Sequence, residues 1–206
     1  MSDIDPDILL LDAWRGGDRR AGDQLFRTYY PQILGYFCLR QPDDAEDLTQ
    51  RTFLACAEGR TPIQTFRGYL FGTARNVLYK HTRSAGRRAR MSNIPMPRVQ
   101  SSLTPSSVIA LRQEHWLLLQ ALHQLNRNAQ ELLALHYVHS LLSREIAEAL
   151  DIPVSTVTTR LGRARDALRK EVAALNAPAE VRDSLALELD TWAHSLGPLV
   201  HGTPNP

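Results

Sequence analysis

Between Ser155 and Arg163 the chain sets hydroxyls and guanidinium groups close together: Ser155, Thr156, Thr158, Thr159, Arg160 and Arg163. Hydroxyls donate and accept at base edges, and arginine forks onto guanine or grips phosphate, so residues of these types are suited to reading duplex DNA. A second cationic tract lies upstream. From Arg67 through Arg90 there is no acidic residue, while Arg67, Arg75, Lys80, Arg83, Arg87, Arg88 and Arg90 are all present. Such a run suits a phosphate backbone, although overall charge is only +2. Phe66, Tyr69 and Phe71 interleave with it, either to stack on bases or, at helical spacing, to fill a core.

The opposite sign gathers at Asp43, Asp44, Glu46 and Asp47. Carboxylates at a helix start are favourable with the helix dipole, which is the plain reading. A Mg²⁺ site would need further inward carboxylates from another helix, and few are on offer nearby. The third reading is an acidic docking surface with Phe53 packed beneath it. His136 and His139 have helical spacing, but no cysteine is near them and no metal is expected. No Gly-rich phosphate loop appears and no Ser/His/Asp set can be assembled. Neither a catalytic residue nor a cofactor is expected.

The elements that must hold these residues read as helices throughout. Val157, Leu161, Ala164 and Leu168 share one face, leaving Ser155, Thr159 and Arg163 opposite. Just before them Ile146, Ala147 and Leu150 make a shorter stripe, with Ser143 as its N-cap. Asp151 tolerates the left-handed backbone of a tight turn, and Pro153 starts a helix without needing its N–H. Two such helices make a helix-turn-helix, whose second helix is the one that enters the major groove. Packing alone would explain the hairpin, but not the turn together with Arg160, Arg163 and Arg165.

Upstream, Ile8, Leu11 and Trp14 give a first helix ended by Gly16 and Gly17. Asp18 caps a second, with Leu25, Phe26, Tyr29, Ile33, Leu34 and Phe37 inward and a kink or restart expected at Pro31. Pro42 and Asp43 open a third, with Leu48, Phe53, Leu54 and Ala57 on its apolar face. Thr65 precedes a fourth through Phe66, Leu70, Ala74 and Leu78. Residues 91–107 are rich in Pro and Ser without period, as in a flexible linker. Helices over Val108–Leu125 and Ala129–Val138 then lead to the helix-turn-helix. Beyond Pro178 a stripe of Val181, Leu185, Leu189, Trp192 and Leu196 could close the C-terminal domain, bridge the domains or bind a regulator. The expectation is therefore an all-α protein of two small helical domains, 1–90 and 108–176, joined by a linker at 91–107 and followed by an extension at 177–206. Cys38 and Cys56 read as reduced, buried thiols of a cytoplasmic protein, and no apolar run suggests a membrane span.

Three segments in this order resemble bacterial RNA polymerase sigma factors of the extracytoplasmic-function class. They are DDAEDLTQRTFLACAEG, FRGYLFGTARNVLYKHTRSAGRR and LHQLNRNAQELLALHYVHSLLSREIAEALDIPVSTVTTRLGRARDAL. The resemblance implies that Asp44, Asp47, Gln50 and Phe53 dock to core RNA polymerase. It implies that Arg75, Asn76, Lys80, Arg83, Arg87 and Arg88 engage the minus-ten element, and that Ser155, Thr156, Thr158, Thr159, Arg160 and Arg163 read the minus-thirty-five element. Promoter DNA, polymerase and an anti-sigma factor are the partners implied, in the cytoplasm.

Several positions depart from the family pattern. Lys80 stands where Asp is frequent, Thr158 where Lys is common and Gly162 where His is common. Ser140 replaces a usual Gly, and Leu142 a usual capping Ser. The main rival is a polymerase-independent helix-turn-helix regulator, which would dimerise on a two-fold site and leaves the docking helix unexplained. A sigma mimic would have no use for DNA-reading arginines. A Mg²⁺-dependent nucleotide hydrolase built on Asp43, Asp44, Glu46 and Asp47 would show turnover with metal and nucleotide.

Overall fold

The computed structural model describes residues 5–86, 113–176, 178–180, 182–183 and 190–191, and among them no strand occurs. The linker at 91–107, the cations Arg87, Arg88 and Arg90, and the stripe from Val181 to Leu196 lie outside the described residues. The chain divides into two compact units. Residues 1–95 together with 144–152 form the first, and residues 96–143 with 153–206 form the second.

In the first unit α1 (Pro6–Arg15) lies against α2 (Arg19–Cys38), and α3 (Ala45–Glu58) packs on both α2 and α4 (Phe66–Gly86). Asp5 caps α1 by accepting the Asp7 N–H at 3.0 Å, and Asp18 caps α2 by accepting the Arg20 N–H at 2.9 Å. Gly17 makes the reversal at φ 103°, a conformation that costs glycine little. Pro31 neither stops nor restarts α2, which runs through it unbroken, with Pro31 itself exposed. Leu11, Leu25, Ile33, Tyr36, Phe37, Leu48, Phe66, Leu70, Phe71 and Leu78 are buried and fill this core. Phe66 and Phe71 thus resolve to packing: Phe66 sits edge-on to Tyr29 at 5.1 Å, and Phe71 to Tyr36 at 5.8 Å.

One polar staple ties three helices of that unit. Arg15, at the end of α1, donates from Nε and Nη2 to the Cys56 carbonyl at 3.2 and 3.0 Å, and from Nη2 to the Tyr69 hydroxyl at 3.3 Å. Burial pushes the Cys56 thiol up to about 12, so it stays protonated and behaves as a small apolar group.

The second unit is built from α5 (Gln113–Gln124), α6 (Arg127–Leu133), a π-helical turn (Ala134–Val138) and α8 (Val154–Ala174). Asn126 caps α6 through the Ala129 N–H at 3.0 Å. Leu118, Leu132, Leu133, Val157, Leu161, Leu168 and Val172 are buried. The short helix α7 (Ser143–Leu150) precedes α8, and its residues from Arg144 onward belong to the first unit.

Candidate nucleic-acid interface

On α8 the apolar and polar faces separate cleanly. Val157, Leu161, Ala164 and Leu168 are buried, whereas Ser155, Thr158, Thr159, Arg160 and Arg163 are exposed and Thr156 is half-buried. Thr158 and Thr159 donate their hydroxyls back to the Val154 and Ser155 carbonyls at 3.1 and 2.9 Å. Their oxygens keep acceptor capacity toward solvent. Gly162 sits at the half-buried margin, and a Cβ there would meet nothing within 4 Å.

Arg165 differs from its neighbours. Its Nε donates to the Tyr137 hydroxyl at 2.6 Å, its Nη2 lies 2.9 Å from His136 Nε2, and its Nε is 3.5 Å from Asp190. A guanidinium can only donate, so His136 Nε2 accepts and Nδ1–H donates to the Leu141 carbonyl at 3.2 Å. The Tyr137 hydroxyl also donates to Asp190. Arg165 is thereby a structural member of its unit, a role that its sequence position beside Arg163 does not disclose.

On α4, Asn76, Lys80 and Arg83 are exposed along one side, and Arg75 is half-buried. Their spacing of four and three residues keeps that side continuous. Tyr79 is also half exposed beside them.

The acidic segment forms a 3₁₀ turn (Pro42–Asp44) leading into α3. Asp44 Oδ2 is 3.2 Å from His81 Nε2 of α4, and Asp47 pairs with Arg51 at 2.8 Å. Asp47 and Gln50 are exposed; Phe53 is 2 % exposed, with its ring 4.9 Å from that of Phe26. The sequence expectation for Leu54 is corrected here. Read as inward, it is 58 % exposed on the outer side of α3, one turn beyond Gln50. The same apolar run includes both neighbours, and only the rotation of α3 against α2 and α4 decides which enters the core. Among the described residues no three His, Cys, Asp or Glu side chains are grouped to hold a metal ion.

Two family models match the chain: sigma-70 region 2 over residues 25–88 and sigma-70 region 4 over residues 115–168. The RNA polymerase sigma factor YlaC of Bacillus subtilis is 32% identical over 168 residues, covering 73% of this chain and 91% of that protein. The chain belongs to the RNA polymerase sigma factors. The sigma-H factor of Pseudomonas aeruginosa is 25% identical over 181 residues, covering 80% of this chain and 92% of its own. The solved structure of the sigma factor RpoE of Bartonella quintana, in complex with the anti-sigma factor NepR, matches in fold. Its TM-score is 0.53 at 18% identity, over 73% of this chain and 96% of that one. The matched regions and relatives identify an extracytoplasmic-function sigma factor, which directs promoter-specific initiation of transcription.

In this sigma factor, α3 and α4 fall inside the region 2 match, and α6, α7 and most of α8 inside the region 4 match. Among the described residues, no helix is long and apolar enough to cross a membrane.

Proposed function

We propose that the outer face of α3 docks this sigma factor to core RNA polymerase through Asp44, Asp47 and Gln50, with Phe53 holding the helix from beneath. An acidic face of this kind fits a basic helical surface on the polymerase. Arg75, Asn76, Lys80, Arg83, Arg87 and Arg88 hold the melted minus-ten strand, the cations on phosphate and the Asn76 amide at a base edge. Ser155, Thr156, Thr158, Thr159, Arg160 and Arg163 enter the major groove at the minus-thirty-five element. Functional domains at 1–90 and 108–176, with 91–107 linking them and 177–206 extending the chain, match that division of labour. The protein works in the cytoplasm beside polymerase and DNA, without a cofactor and with no catalytic step of its own. By likeness to the NepR complex, an anti-sigma factor is a further partner.

The observation that carries this reading is α8, in which Val157, Leu161, Ala164 and Leu168 are buried while five of the six candidate DNA-reading residues are exposed. The test is co-elution with bacterial core polymerase, alongside an Asp44→Ala, Asp47→Ala variant. Loss of the complex in a variant that remains folded supports the docking face. Failure of the parent chain to bind polymerase, with DNA still bound, would replace the reading with that of an independent regulator.

A further inference from the structure

The extension beyond α8 meets that helix at two described points. Arg182 Nη1 donates to the Ala173 carbonyl at 3.0 Å, and Asp190 Oδ1 lies 3.5 Å from Arg165 Nε. From Arg182 to Asp190 is eight residues forward, and from Ala173 to Arg165 eight residues back, so the two contacts register the extension antiparallel to α8. All four residues belong to the second unit, and all but Arg165 lie outside the two family matches. The charges are complementary. From Arg160 to Lys170, α8 holds five cations and one acid, whereas from Pro178 to Gly197 the extension holds four acids and one Arg.

Arg165 is held in two ways that differ in consequence. The Tyr137 hydroxyl and His136 Nε2 take two of its five N–H donors, and both are neutral acceptors. They set the guanidinium in place without cancelling its charge. Asp190 is the opposite charge beside it, and the two side chains are 57% and 31% exposed. Arg165 also continues the stripe of Thr158, seven residues further along α8 and about 10.5 Å along its axis. With the start of α8 in a major groove about 8.5 Å deep, that height is the phosphate rim.

We propose that the C-terminal extension is an autoinhibitory strap, in which Asp190 occupies Arg165 in the free chain and a phosphate of the duplex displaces it. This rests on the reading that α8 enters the major groove. Carboxylate and phosphate oxygens compete for the same guanidinium. Tyr137 and His136 keep Arg165 in position in both states. An exposed ion pair is worth little, so the strap tunes affinity rather than abolishing it. Phosphate contacts carry no sequence information directly, so it acts on every promoter alike.

The test titrates a fluorescent mixed-sequence DNA duplex with the full chain, over a range of salt, beside Asp190→Asn and Asp183→Asn. The amide at 190 keeps an acceptor for the Tyr137 hydroxyl and removes only the charge. Asp183 is exposed in the same extension, so its variant measures what loss of any acid there does. Asp190→Asn is expected to bind about threefold more tightly, with a log–log salt slope steeper by about 0.9, and Asp183→Asn to do neither. Adding Arg165→Gln to Asp190→Asn should cancel the gain. Amide exchange at Asp190 and Thr191 of the parent chain should quicken when duplex is added. Equal gains in the two single variants, no gain in either, or exchange unchanged by duplex overturns the strap. An Arg160→Gln, Arg163→Gln variant tests the underlying reading. Lost affinity there with no response to Asp190→Asn strikes the strap alone, whereas retained affinity strikes the α8 reading and the strap with it.

Discussion

Glu148 accepts the backbone N–H of Thr65 at 2.6 Å, across 83 positions of sequence. The helix start it caps belongs to the region 2 match, whereas Glu148 itself belongs to the region 4 match. A side-chain cap of this kind is worth about 1 kcal/mol. Glu148→Ala should therefore lower the stability of the first unit by roughly that amount and speed exchange of the Thr65 amide. Chemical denaturation followed by exchange mass spectrometry measures both. An unchanged Thr65 amide would show that the cap is not held in solution.

Arg15 closes the opposite side of the same unit, on the Cys56 carbonyl and the Tyr69 hydroxyl. Arg15→Ala leaves the Cys56 carbonyl without its side-chain donor, at a cost of about 1–3 kcal/mol. The expected result is a lower denaturation midpoint with polymerase binding retained at temperatures where the variant is folded.

Neighbouring Phe53 and Leu54 should separate stability from docking. Phe53 is buried on Phe26, so Phe53→Ala should cost about 3–5 kcal/mol. Leu54→Ala, at an exposed position, should change stability by no more than about 0.5 kcal/mol and should weaken polymerase binding. Equal affinity of Leu54→Ala and the parent chain would remove Leu54 from the docking face.

Gly162 offers a stabilising change. A Cβ there meets nothing within 4 Å, and Gly in a helix interior is about 0.8–1 kcal/mol worse than Ala. Gly162→Ala should raise the melting temperature of the second unit without loss of duplex affinity. Ser140→Gly should add to that gain, because Ser140 sits at φ 54°. Thermal denaturation of each single variant checks the two contributions separately.

Tyr137 links stability to alkaline pH. Burial, then its hydrogen bond to Asp190, pushes the hydroxyl up to about 12 from an ordinary value of 10. The folded state thus favours the protonated phenol. Its contribution is whole below pH 10 and is lost as pH rises through about 12. Tyr137→Phe should lack this component. Denaturation at a series of alkaline pH values compares the slopes, and identical slopes would refute the assignment.

Much of this protein was legible from local rules. The apolar periods of α2, α4 and α8, the Asp18 cap, and the left-handed turn at Asp151 each follow from residues within a few positions of one another. So does the outward set of Ser155, Thr158, Thr159, Arg160 and Arg163, because burying one face of a helix exposes the other. Tertiary packing decided what local rules leave equal. Pro31 was absorbed on the exposed side of a continuous α2 whose other face is buried, and helix rotation sent Phe53 inward and Leu54 outward. Arg163 and Arg165 look alike in sequence, yet only Arg165 is bound by Tyr137, His136 and Asp190. Glu145 and Glu148 read as the polar side of a short helix until α4 meets them with Arg67, free amides and two glycines. Partners that lie tens of residues apart leave no period to read, since periodicity records only which face is buried, never what it is buried against.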